Sequence, residues 1–139
     1  MPTWAPARPA SPASSFSGWK PAAAYHAAAN LAASGVLAVL AEAGALWSAA
    51  GLGNASLQPL LPLTRGALDT AAARGLPGAV SGPVARGDTG VLARHLDAMH
   101  AAGLPDDLLR ALALRQLALA ETAGRLDAAQ TSALRALLV

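Results

Sequence analysis

His26 and Asn30 stand four residues apart in one of the least polar stretches of this chain. On a helix that spacing leaves two side chains about 40° apart, on one face. An imidazole there can give or take a proton near neutral pH, and a neighbouring amide can hold a substrate oxygen. The same pair admits a structural role, in which Asn30 bonds His26 or a backbone carbonyl inside a helix-packing seam.

Two arginines form a second set. Arg86 lies in Ser81-Gly82-Pro83-Val84-Ala85-Arg86-Gly87-Asp88, where a guanidinium can hold a carboxylate or phosphate in a forked contact. In the alternative, Gly82 and Gly87 supply turn conformations, Asp88 caps the next helix and Arg86 pairs with a carboxylate of the fold. Arg65, in Leu63-Thr64-Arg65-Gly66, interrupts an apolar helix and so faces a polar crevice or a partner. His95, one turn before Met99, reads as a packed or capped histidine.

Other chemistries find no residues to carry them. The chain has no cysteine, which removes thiolate catalysis, disulfides and cysteine-ligated zinc. His95 and His100 are five apart and face different ways on a helix, so no metal site is expected. Asp106 and Asp107 fall at a helix start, where the macrodipole accounts for them. Neither a G-x-G-x-x-G turn after a strand nor a P-loop is present, so no cofactor-binding residues are assigned in this chain.

The elements that must position these residues read as helices throughout, with no alternating run of β-branched or aromatic residues. The fold class is all-α, a bundle of about five helices led by one long N-terminal helix. Residues 1–20, with Pro2, Pro6, Pro9 and Pro12, read as a disordered tail, from which Trp4, Phe16 or Trp19 can dock on the helical body. Residues 21–139 form the helical domain. Pro21 opens a helix of about thirty residues, roughly 45 Å long, that stops at Gly51 and Gly53. Its buried face carries Val36, Leu37, Leu40, Ala43, Gly44 and Trp47, and at that length it either kinks near Ser34-Gly35 or is the spine of a larger assembly.

Asn54 or Ser56 caps a second helix to about Arg74, bent at Pro62. Gly75 to Gly87 reads as a loop. Asp88 or Thr89 caps a third helix ending at Gly103, Pro105 opens a fourth to about Gly124, and Asp127 with Gln130 makes a capping box for the last.

Ten basic residues against eight acidic ones give a net charge of +2 without a patch, and nucleic-acid binding is not expected. Pro21 to Ala41 contains no formal charge and is about long enough to cross a bilayer. It is alanine-rich, holds Tyr25, His26, Asn30 and Ser34, and has no flanking basic cluster, so a buried helix in a soluble cytoplasmic protein is the expectation.

The segments Tyr25-His26-Ala27-Ala28-Ala29-Asn30, Leu63-Thr64-Arg65-Gly66, Ser81-Gly82-Pro83 through Arg86-Gly87-Asp88, and His95-Leu96 follow one another in an order with a family resemblance. The chain resembles the C-terminal helical domain of Rossmann-like oxidoreductases carrying a domain of unknown function. That family is similar in architecture to 6-phosphogluconate dehydrogenase, ketopantoate reductase and pyrroline-5-carboxylate reductase. The resemblance implies packed helices that form a homodimer through the long helix and close over NAD(P) held by a Rossmann domain, in cis or in trans. In such reductases a Lys and an Asn at i, i+4 on the first long helix contact substrate. The resemblance gives His26 and Asn30 those catalytic or substrate-contacting places, with histidine in place of lysine; Arg65 and Arg86, from their own residue settings, are the expected substrate-binding side chains.

A nucleotide-binding domain is expected upstream in this family, where this chain has its proline-rich stretch. The leading reading is therefore a dimerisation and substrate-cleft domain, inactive alone, as a truncation or frameshift would leave it. The alternative is a stand-alone, non-catalytic helical homodimerisation module.

Overall fold

The computed structural model describes residues 21–53 and 57–139, and those residues contain helices and turns with no strand. The order is α1 (Pro21–Ala32), α2 (Ser34–Ala49), α3 (Leu61–Ala79), α4 (Pro83–Arg86), α5 (Thr89–Ala101), α6 (Asp107–Thr122) and α7 (Ala128–Leu138). The all-α expectation therefore holds, with a long bent helix first and shorter ones after it. The expected tail at 1–20, with Trp4, Phe16 and Trp19, and the caps Asn54 and Ser56 lie outside the described residues. The chain divides into two compact units, Met1–Ala41 and Glu42–Val139.

In the first unit, α1 begins at Pro21, whose fixed φ suits a first helical position. The Ala33 amide still donates to the Ala29 carbonyl at 3.0 Å, as in a helix, and Ala33 alone separates α1 from α2, next to the Ser34-Gly35 position named for a kink. The expectation of a buried helix fails here. No residue of α1 is buried, and Tyr25, Leu31 and Leu37 are 70%, 73% and 66% exposed. Of the expected apolar face, Leu40 is buried while Leu37 points into solvent. The physical reason is compositional: runs of alanine give α1 no directional apolar stripe to bury.

In the second unit the core is Val84, Leu92, Ala113, Leu117, Leu134 and Leu138, supplied by α4, α5, α6 and α7, with Leu114, Leu126 and Leu137 packed against it. Helix α6 is central, contacting α3, α4 and α7. Residues Ala113, Leu117 and Ala120 form its buried stripe at the i, i+4, i+7 spacing. Local chemistry fixes the ends. Asp88 Oδ1 accepts from the Val91 amide at 2.9 Å, capping α5. The Asp127–Gln130 capping box opens α7 as expected. Gly103 and Gly124, at φ 66° and 65°, terminate the chain's turns after α5 and α6.

Two sequence expectations are corrected. Pro62 occupies the first turn of α3, where a proline is harmless, and the bend falls at Gly75 instead, with φ 72° and ψ 166°. The span from Gly75 to Gly87 is only partly loop, since a helical turn follows Gly75 and α4 occupies Pro83–Arg86. Asp106 and Asp107 stand at the start of α6 as expected, with Asp106 at the N-cap, where its side chain makes no capping bond. Its carboxylate accepts from Arg110 Nε at 2.9 Å and faces His100 Nε2 at 3.1 Å.

Candidate functional site

Helix α1 carries His26 and Asn30 on one face, as their spacing requires, and both are exposed. Among the described residues no hydrogen bond joins them. Tyr25 lies edge-on to the His26 ring, with centroids 5.5 Å apart and planes at 69°, a favourable aromatic geometry that restricts the imidazole's swing. The face is thus an exposed imidazole and amide on an alanine scaffold, free to meet another surface.

Arg65 is exposed on α3 and Arg86 is exposed in the last turn of α4. Neither forms an ion pair among the described residues. The loop that carries Arg86 is built as the structural reading of its glycines required. Gly82 and Gly87 adopt φ 88° and 70°, a region L-residues avoid. The Gly87 amide donates to the Val84 carbonyl at 3.2 Å, and that of Asp88 to Pro83 at 2.9 Å. Gln130 of α7 reaches across, its Nε2 3.5 Å from the Arg86 carbonyl. The Arg86 backbone is therefore tethered while its guanidinium remains available. His95 is exposed, whereas Met99, one turn on, is buried at 4%. The packed role expected for His95 is not what the structure gives, because the core-facing stripe of α5 is Leu92, Leu96 and Met99.

Two arginines that sequence reading passed over line a cleft of about 360 Å³ in the second unit. Its walls are α3 (Leu63, Gly66, Ala67, Thr70, Arg74, Gly78 and Ala79) together with Val80, Ser81 and Arg125. Arg125 follows α6 and donates from Nη2 to the Gly78 carbonyl at 2.9 Å and from Nη1 to the Val80 carbonyl. It thereby closes the open carbonyls at the end of α3. Nothing local marks that role, since the partners are 45 and 47 residues away.

The model of DUF2520, a domain of unknown function, matches residues 20–116. The chain belongs to this family. The match takes in α1 to α5 and the first part of α6, so His26, Asn30, Arg65, Arg74 and Arg86 lie within it and Arg125 beyond it. Searches of the curated proteins and of the solved structures return no match.

Proposed function

We propose that this DUF2520 chain is the helical dimerisation and substrate-cleft domain of an NAD(P)-dependent oxidoreductase-type protein, paired with a second copy through α1 and α2. The observation that carries the reading is the exposure of α1. A twelve-residue helix without one buried residue, bearing Tyr25 and Leu31 and continuing to Leu37, leaves its apolar surface open. Isolated helices of that length are marginal in water, and tertiary or quaternary contact normally sustains them. The resemblance to reductase C-terminal domains, whose first long helix is the dimer seam, supports the same pairing. It also supports substrate contact by His26 and Asn30, with Arg65 and Arg86 as anion-holding side chains.

The described residues do not fit a dinucleotide themselves. They contain no βαβ unit whose first turn would receive a pyrophosphate. In this reading NAD(P) is held by a Rossmann domain in cis or in trans, and the helical domain supplies the opposite wall. The protein works in the cytoplasm. One observation favours a second reading: Pro21–Ala49, 29 residues with 11% of its apolar window buried, is long and apolar enough to cross a membrane.

Sedimentation equilibrium in detergent-free buffer, with and without phosphatidylcholine vesicles, tests the proposal. A micromolar dimer that Leu31→Glu and Leu37→Glu convert to monomer supports it. A monomeric wild type overturns the pairing, and sedimentation with the vesicles assigns α1 and α2 to a bilayer. For the substrate contacts, His26→Ala in an intact two-domain relative should reduce turnover with the fold unchanged. Unaltered turnover refutes that role.

A further inference from the structure

The cleft between the end of α3 and Arg125 is distinct from the His26 face and lies wholly within the Glu42–Val139 unit. Arg74 and Arg125 line it, and no carboxylate does. Among the described residues neither arginine forms an ion pair, unlike Arg110 and Arg135, which hold Asp106 and Glu121. Arg125 spends one N–H of each terminal nitrogen on the Gly78 and Val80 carbonyls. A guanidinium has five N–H donors, so three remain. Those two bonds also hold its plane, so little side-chain freedom is lost when an anion arrives. Thr70 cannot act as a donor, because its hydroxyl already donates to the Gly66 carbonyl at 2.8 Å. Ser81 adds a hydroxyl at the rim.

The cleft adjoins an apolar hollow of about 310 Å³ lined by Leu68, Ala71, Leu76 and Leu119, and the two share Ala67, Ala79, Val80 and Ser81 as walls. A cationic compartment beside an apolar one suits a ligand with a charged head and a hydrocarbon body. Gly66 keeps the head compartment open, for a Cβ built there meets no atom within 4 Å.

We propose that this paired cleft binds an amphipathic organic acid, its carboxylate between Arg74 and Arg125 and its apolar body along Leu68, Leu76 and Leu119. Octanoate is the probe, titrated into the full chain and followed through backbone amide chemical shifts, with octylammonium as the control of opposite charge. Octanoate should move the Gly66, Gly78 and Ser81 amides, and octylammonium should not. Arg74→Gln should weaken octanoate at least about tenfold, as loss of a charged hydrogen bond does. Gly66→Leu, which favours helix and so keeps the fold, should abolish the shifts by filling the head compartment. The proposal is overturned if octanoate moves none of these amides, if octylammonium binds equally well, or if octanoate affinity survives either substitution.

Discussion

Gly87→Ala separates backbone strain from side-chain collision at the loop that carries Arg86. At φ 70° the residue occupies the left-handed region, which costs an L-residue roughly 1–2 kcal/mol. An added Cβ would also lie 2.5 Å from Gln130 Nε2, 2.8 Å from its Cδ and 3.0 Å from its Cγ. Gln130 must then leave its place. Its Oε1 would give up the Asp127 amide, which it accepts at 3.0 Å as half of the capping box. Loss of one such bond adds about 0.5–1.5 kcal/mol, so the whole substitution should destabilise by about 1.5–3.5 kcal/mol.

Gly124→Ala is the control. That residue has φ 65°, and its added Cβ meets nothing within 4 Å, so only the backbone contribution applies. Urea unfolding at unchanged m-value gives the two costs. In a Gln130→Ala background, Gly87→Ala should fall to the Gly124→Ala value, because the colliding side chain is gone. If Gly87→Ala is no worse than Gly124→Ala in the native background, the account of the loop as held against α7 is refuted.

Two further outcomes follow from the second unit. Leu117, fully buried at 0% exposure on α6, should lose about 2–5 kcal/mol on replacement by alanine. Thermal or urea unfolding checks this, and a loss below about 1 kcal/mol would mean α6 is not the centre of the core. Desolvation is the largest single influence on the Asp106 carboxyl and raises its pKa, but the Arg110 guanidinium and His100 together outweigh it and hold the pKa below the ordinary value. A folded-state pKa below the unfolded one adds stability above about pH 3.9 that is lost as pH falls through the folded value. The melting-temperature gap between wild type and Asp106→Asn should therefore narrow on acidification, and a gap independent of pH would contradict the pairing.

What the sequence determined is what near neighbours can settle. Asp88 reaches an amide three residues on, the Asp127–Gln130 pair satisfies two helix-end donors within one turn, and Gly103 and Gly124 stop helices by their own backbone freedom. The all-α class and the shared face of His26 and Asn30 are legible for the same reason, since helical periodicity is a local rule.

Tertiary structure decided everything that depends on what lies opposite. The bend of α3 falls at Gly75 rather than Pro62, because a proline in a first turn breaks no hydrogen bond. Asp106 forgoes capping for Arg110, whose Nη1 also donates to the Leu137 carbonyl at 2.7 Å, 27 residues away. Arg125 finds the end of α3 across more than forty residues and, with Arg74, makes the cleft that no spacing announces. The exposure of α1 belongs to the same class. An apolar composition states that a helix would be stabilised by cover, and only the structure shows which of its residues are covered.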